Sequence, residues 1–286
     1  MATKFKEPKD WTTIIQPTTN LSNLNLFEAY KYRELIYMFV KRDFVTFYKQ
    51  TILGPLWYVI QPLVNTIIFT IIFGNLANLS TDETPAFLFY MSGTVIWGYF
   101  TVCLNTTSNV FVLNAHIFGK IYFPRIVVPI SNVIISLLQF VIQFFIFLVF
   151  LFYFIYNGSE IVLTYNFFVI PLLLLQTAIL GLGFGMLFSS LTTKYRDLTF
   201  ALTFGVQLWM YATPVIYPLS LIPEEYRLYV ALNPMVSVVE CFRGAIFDTT
   251  VIETVHILIS LAVTLIIFII GLIMFNRVEK NFMDTV

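Results

Sequence analysis

The chain has 286 residues, 58% of them hydrophobic and 11% charged, and its mean hydropathy is +0.83. This composition excludes an ordinary soluble domain, because a water-facing surface needs more charge, and it indicates an integral membrane protein. The 16 basic and 16 acidic residues cancel, so the net charge gives no support to nucleic-acid binding.

The first 50 residues differ from the rest of the chain. Residues 1–25 are polar, and we predict a cytoplasmic strap there. Over residues 27–48, apolar residues at separations of three and four are mixed with charges, which predicts an amphipathic helix at the inner membrane surface. The basic residues of interest on this helix are Arg33, Lys41, Arg42 and Lys49. They form either a topological anchor or a surface that binds the phosphate of a lipid headgroup. No targeting peptide is visible in this region.

Long stretches without a charged residue dominate the remainder of the chain. A bilayer core about 30 Å thick takes about 20 apolar residues of helix to cross, and each stretch is at least that long. The stretches predict six membrane spans, at about 54–75, 87–110, 127–154, 166–189, 199–217 and 255–275. Barrel strands would instead alternate polar and apolar residues over about 10 residues. We therefore expect residues 51–286 to form one all-α, six-helix transmembrane domain.

Basic residues set the expected orientation, because cytoplasmic loops of membrane proteins are enriched in Lys and Arg. With the N-terminus inside, six spans place fourteen of the 16 basic residues on the cytoplasmic side and leave only Arg227 and Arg243 outside. We therefore expect both termini in the cytoplasm.

A shorter apolar segment, residues 235–247, lies between the fifth and sixth predicted spans. It is too short to cross a bilayer, so we predict a re-entrant or interfacial helix that is entered through Leu232-Asn233-Pro234. Glu240 and Arg243 are three residues apart in this segment, so they share one face of the helix and can form an ion pair.

The spans lack the residues that most membrane chemistry requires. No charged residue lies near the centre of a predicted span, which disfavours ion-coupled transport. His116 and His256 fall near opposite membrane faces, so we expect no metal site. The sequence also has no G-x-x-x-x-G-K-[ST] phosphate loop, so we expect no cofactor on this chain, and ATP would be hydrolysed by another chain.

Three glycines, Gly181, Gly183 and Gly185, superficially suggest a dinucleotide-binding turn. They lie inside a charge-free helix, however, so we predict that they allow helices to pack closely. Cys103 and Cys241 also lie in apolar stretches without metal-ligand spacing, and we expect both to be structural.

Aromatic residues are dense at two places. Trp57 and Tyr58 begin the first predicted span, and Trp209, Tyr211 and Tyr217 belong to the fifth. Trp and Tyr often form a belt at the membrane interface. Their faces also suit the apolar faces of sugar rings. Both interpretations stay open from the residues alone.

A series of motifs runs along nearly the whole chain. In order, they are Arg42-Asp43-Phe44, Tyr48–Trp57, Gln61-Pro62-Leu63, Gly119–Arg125, Tyr195-Arg196-Asp197, Thr213–Pro218, Leu232–Met235 and Phe275–Glu279. Together they resemble the membrane subunit of bacterial ABC exporters for surface polysaccharides. The resemblance implies a homodimeric channel in the bacterial inner membrane, assembled with two copies of a separate ABC ATPase that uses ATP and Mg²⁺. The implied cargo is lipid-linked O-antigen, capsule-like glycan or teichoic acid.

The resemblance also implies roles for particular residues. The candidate sugar contacts are Trp57, Tyr58, Trp209, Tyr211 and Tyr217. The candidate ATPase docking turn contains His116, Phe118, Gly119 and Lys120, with an ordinary basic loop as the alternative. The segment with Glu240 and Arg243 is expected to gate the external end of the channel. The basic surface of the N-terminal helix is expected to receive the lipid pyrophosphate.

Two alternatives to polysaccharide export remain at this stage. One is an exporter of a drug, a lipid or haem from the same superfamily. The other is an integral membrane enzyme that modifies a glycan lipid. The sequence disfavours the enzyme, because it offers no membrane-facing constellation of His, Asp and Glu.

Overall fold

The computed structural model describes residues 26–49, 54–121, 123–159, 161, 165–247 and 252–285. The predicted strap over residues 1–25 lies outside these described residues. In chain order, the α-helices of the described part are α1 (Leu26–Lys31), α2 (Arg33–Lys49), α3 (Trp57–Phe69), α4 (Ala86–Ser108), α5 (Val110–Phe118), α6 (Val127–Tyr156), α7 (Ile170–Thr192), α8 (Leu198–Tyr211), α9 (Glu224–Ala231), α10 (Pro234–Phe247) and α11 (Thr254–Thr285). The regular structure of the described residues is helical throughout, so the all-α prediction is confirmed.

Five helical segments of the described chain are long and apolar enough to cross a membrane. They are Trp57–Leu76, Ala86–Ser108, Val127–Tyr156, Asn166–Thr192 and Thr254–Glu279. They correspond to the first four predicted spans and the sixth. The helices α9 and α10 would pass the same test together, which raises the total to six, but they meet at an angle of 109°.

The predicted fifth span differs from the structure at its C-terminal end. The helix α8 has 14 residues and ends at Tyr211, and residues 212–218 continue as turns. A helix of that length rises about 21 Å, which is less than the thickness of a bilayer core. Pro214 and Pro218 explain the early end, because proline lacks an N–H and disfavours helical geometry in the residue before it.

Helix α4 lies at the centre of the bundle and contacts α3, α6, α7, α8 and α10. In its membrane-length window 72% of the residues are buried, compared with 6% in Trp57–Leu76. The latter segment is also irregular. It follows a 3₁₀ turn, contains Pro62, and continues after Phe69 as a π-helix, Thr70–Leu76. Its buried residue is Thr66, whose hydroxyl lies 3.3 Å from that of Thr94 on α4.

Glycines bring α7 close to two neighbouring helices. A Cβ atom at Gly181 would lie 2.6 Å from the Cβ of Cys103 on α4, and Gly185 faces Thr107 in the same way. Gly183, on the other side of α7, would place a Cβ 2.8 Å from the Cα of Phe268 on α11. The predicted role of these glycines in close helix packing is thereby confirmed.

Charged residues lie mostly at the two ends of the bundle. We call the end that carries Lys120, Arg125, Lys194 and Arg277 the basic end. The opposite end, which carries Asp82, Glu224 and Glu225, is the acidic end. At the basic end, α2 packs against α6, and Phe39, Phe118, Phe123 and Phe275 belong to one hydrophobic cluster.

Candidate functional site

The aromatic side chain Trp209 lies where α8 meets α4 and α7. Its ring makes edge-on contacts with Trp97, Phe100 and Phe184, at centroid distances of 6.1, 5.2 and 4.9 Å. These contacts hold the half-buried indole between the helices and leave part of its surface exposed.

The other predicted sugar contacts differ from Trp209 in their exposure. Trp57 and Tyr211 are exposed, and Tyr58 and Tyr217 are partly buried. The ring contacts that the described residues make with Trp209 come from α4 and α7. Trp57 and Tyr58 therefore lie on α3, Trp209 and Tyr211 lie on α8, and Tyr217 lies in the turn after α8. Helices α3 and α8 both contact α4.

Helix α8 presents a continuous apolar stripe away from the bundle. Its exposed members, at separations of three and four residues, are Phe200, Phe204, Leu208 and Tyr211. The exposed fraction is 81% at Phe200 and 62% at Phe204. An apolar face of this size cannot be left in water, so it must contact lipid or another protein.

A buried arginine organises the acidic end. Helix α10 has 14 residues, of which 13 are buried, and they include both Glu240 and Arg243. The predicted ion pair is confirmed, because Arg243 Nη1 lies 3.1 Å from Glu240 Oε1. The guanidinium carbon of Arg243 also lies 3.7 Å from the centre of the Phe89 ring on α4.

The same guanidinium donates hydrogen bonds to the irregular segment after α8. Nη1 donates to the carbonyl oxygen of Pro214 at 2.5 Å, and Nη2 donates to that of Val215 at 2.7 Å. Nη2 also donates to the carbonyl oxygen of Phe89 at 3.4 Å. Backbone outside a helix needs such partners when water is excluded. Arg243 therefore supplies donors that the broken helix cannot provide for itself.

A glycine on α4 makes room for this arrangement. A Cβ atom at Gly93 would lie 2.8 Å from Arg243 Nη2 and 3.0 Å from the carbonyl oxygen of Val215. Both distances are shorter than ordinary van der Waals contact. The absence of a side chain at this position is thus part of the arginine site.

Asn233 makes a second link between α10 and the segment after α8. Its Nδ2 donates to Thr213 Oγ1 at 2.9 Å, and its Oδ1 accepts a hydrogen bond from the N–H of Met235 at 3.1 Å. The second bond is an N-cap, and Pro234 occupies the first helical position, where proline is favoured. Thr213 Oγ1 in turn donates to the carbonyl oxygen of Trp209 at 2.9 Å.

At the basic end, the predicted docking residues divide into two groups. His116, Gly119 and Lys120 are exposed, whereas Phe118 is only 6% exposed and packs against Phe111 and Phe123. The exposed group can contact another protein directly. Phe118 instead attaches the turn to the bundle.

The end of α11 braces the same turn. The N–H of Arg125 donates to Glu279 Oε1 at 3.0 Å, and Arg125 Nη1 donates to the carbonyl oxygen of Glu279 at 2.6 Å. The guanidinium carbon of Arg125 lies 5.4 Å from the centre of the Phe118 ring. The turn between α5 and α6 is therefore fixed to α11 as well as to the aromatic cluster.

All four basic residues predicted on the N-terminal helix are exposed on α2: Arg33, Lys41, Arg42 and Lys49. The buried residue Phe39 attaches this helix to Phe123, at a centroid distance of 5.8 Å. Arg42 lies over the Phe39 ring and also pairs with Asp43 at 2.7 Å. The helix therefore combines an anchored aromatic side with an exposed basic one.

The five apolar helices of membrane length and the apolar surface that they expose define a multi-pass α-helical membrane protein. Residues 34–247 match the model of the ABC-2 type transporter family. The chain belongs to this family, as its motifs had indicated. It is also similar to curated proteins along most of its length.

An O-antigen export system permease protein, RfbA of Klebsiella pneumoniae, is 29% identical over 251 residues, which cover 88% of this chain and 94% of that protein. The protein of the same name from Myxococcus xanthus is 26% identical, over 91% of this chain and 98% of its own length. The polysialic acid transport protein KpsM of Escherichia coli is 24% identical, over 80% of this chain and 87% of its own length.

Proposed function

We propose that this chain is the permease subunit of an ATP-driven exporter that moves a lipid-linked polysaccharide from the cytoplasm to the outer face of the bacterial inner membrane. The observation that carries the proposal is the similarity over nearly the full length to relatives named for O-antigen export and polysialic acid transport. Both names concern long sugar polymers.

The exposed faces of α3 and α8 support a conduit shared by two copies of the chain. Both helices leave apolar and aromatic side chains exposed beside the buried helix α4. A wall of this kind, with no fixed charge, would make weak and repeated contacts with a polymer, which passage requires. In this arrangement Trp57, Tyr58, Trp209, Tyr211 and Tyr217 contact sugar rings.

The basic end would face the cytoplasm and a separate ABC ATPase, of which the complete exporter would contain two copies. His116, Gly119 and Lys120 offer the exposed docking surface, and Phe118 and Arg125 fix that surface to the bundle. A docking turn needs this rigidity, because it must transmit movement of the ATPase. ATP and Mg²⁺ would be bound by the ATPase.

The α2 helix would lie along the cytoplasmic membrane surface. Its exposed Arg33, Lys41, Arg42 and Lys49 suit the pyrophosphate of a lipid carrier, since a phosphate is bound well by several nearby cations. At the opposite end, α10 would be the re-entrant helix that closes the conduit, with Glu240 and Arg243 holding it in place.

An exporter of a drug, a lipid or haem is the second candidate, because the family match alone does not specify a cargo. The names of the relatives favour a polysaccharide. A membrane enzyme is disfavoured, because the family consists of transporters.

The cargo is tested by deleting the gene and locating surface glycan. We expect the deletion strain to lack surface glycan and to accumulate glycan-lipid inside the cell. Supplying this chain together with its ATPase should restore the surface glycan. Normal surface glycan in the deletion strain would contradict the proposal, and loss of drug efflux or haem export instead would favour the second candidate. The purified chain alone should hydrolyse no ATP, and measurable hydrolysis would show that it powers itself.

A further inference from the structure

Helix α8 is held very unevenly along its length. Near its start, Phe200 is 81% exposed, and Gly205 in its middle has no described atom within 4 Å of the place where a Cβ would lie. Toward its end, the half-buried Trp209 contacts three aromatic rings, and Thr213, Pro214, Val215 and Ile216 are buried. Before Trp209, the buried side chains of the helix are Leu202 and Val206, which make apolar contacts with the core. The polar attachment of the helix lies at its acidic end.

The attachment at that end acts on the backbone itself. Arg243 donates to the carbonyl oxygens of Pro214 and Val215, and Asn233 reaches the chain through Thr213. Hydrogen bonds from a charged donor are stronger than neutral ones. Pulling the segment away would also leave two buried carbonyl groups without partners, and the buried guanidinium would keep only Glu240 and Phe89. Because apolar contacts can slide past one another whereas these hydrogen bonds cannot, the junction resists displacement more than the contacts of Leu202 and Val206 do.

The other side of the junction is firmly embedded. Helix α10 is buried along nearly all of its length, and it contacts α4, α7 and α11. Arg243 also lies against Phe89 and beside Gly93 on α4, the most buried of the membrane-length helices. Arg243 thus ties the end of α8 to the most deeply buried helices of the described chain.

We propose that Arg243 is a positioning residue that makes residues 212–218 the pivot of α8. In transport, the start of α8 swings while its end stays fixed to α10 and α4. The conduit thereby widens toward the basic end, where cargo would enter. Arg243 does this without touching the cargo. The inference rests on the proposed transport function and adds to it the location of a fixed point.

The test compares two exposed alanines, Ala201 near the start of α8 and Ala212 directly after its end. Ala201→Cys and Ala212→Cys are introduced separately into a chain that carries Cys103→Ala and Cys241→Ala. Membrane vesicles from cells that express the whole exporter are treated with a maleimide, with and without ATP. We expect ATP to change the labelling rate of Ala201→Cys several-fold and to leave that of Ala212→Cys unchanged.

Variants of the junction then show whether Arg243 creates the fixed point. In Arg243→Met, and in Gly93→Ala, where the added methyl group displaces the guanidinium, ATP should also change labelling at position 212 several-fold. Gly93→Ala keeps the arginine and its charge, so it provides the test if Arg243→Met fails to fold. The matched control is Arg227→Met, because Arg227 also follows a glutamate by three residues but pairs with it only loosely, at 3.8 Å.

Two results would overturn the proposal. One is an ATP response at position 212 as large as that at position 201 in the parent chain. The other is an unchanged pattern in both Arg243→Met and Gly93→Ala. Surface glycan is measured in the same cells, so a wrong cargo is recognised separately: glycan export would be absent while ATP still changed the labelling.

Discussion

Helices α4, α7 and α11 pack through close backbone contacts, whereas α3 and α8 leave most of their surface exposed. The mean hydropathy of the buried helix α4 is 1.5, compared with 1.7 for the exposed segment Trp57–Leu76, so hydropathy alone does not distinguish the two groups. The difference lies in the small residues: Gly181, Gly183 and Gly185 allow neighbouring helices to approach α7. In a membrane, where lipid is as apolar as a side chain, such packing decides which helices form the stable core.

Polar side chains follow the same division. In the core, Gln176 of α7 donates to Ser260 Oγ of α11 at 2.7 Å, and Thr192 of α7 donates to the carbonyl oxygen of Ser108 at 3.0 Å. Helix α3 has a longer link to α4, the 3.3 Å contact of Thr66 with Thr94. The core is thus specified by polar bonds and close packing together, while α3 and α8 are available to lipid or to another protein.

The largest expected effect comes from cutting the link between the core and the end of α8. Arg243→Met should lower the free energy of unfolding by about 3–5 kcal/mol, because Glu240 is left as a buried charge without its partner. Arg227→Met removes a loose pair with the exposed Glu224 and one hydrogen bond to the carbonyl oxygen of Ile222, and it should lower this free energy by about 2 kcal/mol or less. Thermal unfolding in detergent measures both. Equal losses would show that the buried site of Arg243 contributes no more to stability than the partly buried Arg227 does.

The packing of the core is tested with a pair of alanine substitutions. Gly183→Ala places a methyl group against the backbone of α11 and should cost about 1–3 kcal/mol. Gly205→Ala adds the same group where, among the described residues, no atom beyond the neighbouring backbone of α8 lies within 4 Å, and it should stabilise α8 by up to about 1 kcal/mol through helix propensity. The same unfolding assay applies. Destabilisation by Gly205→Ala would mean that α8 is packed as closely as α7.

The attachment of α3 is tested by removing one hydroxyl group. Thr66→Val should cost about 0.5–1.5 kcal/mol, since it removes the contact with Thr94 without creating a cavity. The control is Thr203→Val on α8, where the hydroxyl bonds only within its own helix. A loss no greater than that of the control would show that α3 is held by apolar contact alone.

The smallest effect on stability, and the most direct one on transport, is expected from the exposed aromatic wall. Trp57→Ala should change the free energy of unfolding by about 0.5 kcal/mol or less, because the side chain is exposed. It should nevertheless reduce glycan export. Trp209→Ala should impair both, because that ring also packs against α4 and α7. Export is measured as the amount of surface glycan relative to the amount of this protein in the membrane. Normal export by both variants would show that these residues do not line the conduit.

Features governed by local spacing could be predicted from the sequence. The ion pair of Glu240 and Arg243 follows from their separation by three residues on one helix. The packing role of the glycines in α7 follows from their place inside a charge-free helix. Four of the six predicted spans lie within or close to the observed helices because long apolar runs admit few other structures, and the sixth lies inside α11.

Features that depend on distant residues could not be predicted. Pro214 and Pro218 indicate a break in the helix, but the charge-free stretch continues past both of them, so the end of α8 at Tyr211 could not be predicted from it. Nothing local indicates that the donors for the broken segment come from Arg243, or that Gly93 provides the space. The burial of Phe118 likewise depends on a cluster that includes Phe39 and Phe275, which come from distant parts of the chain.

The bond between Arg243 and the segment after α8 also has a consequence for how the protein is made. Pro214 and Val215 leave the ribosome 29 and 28 residues before the arginine that satisfies their carbonyl groups. During that interval lipid can offer these groups no partner, so water or the insertion machinery must do so. We therefore expect residues 212–218 to enter the membrane only after α10 has been synthesised, so this segment inserts later than its place in the chain suggests.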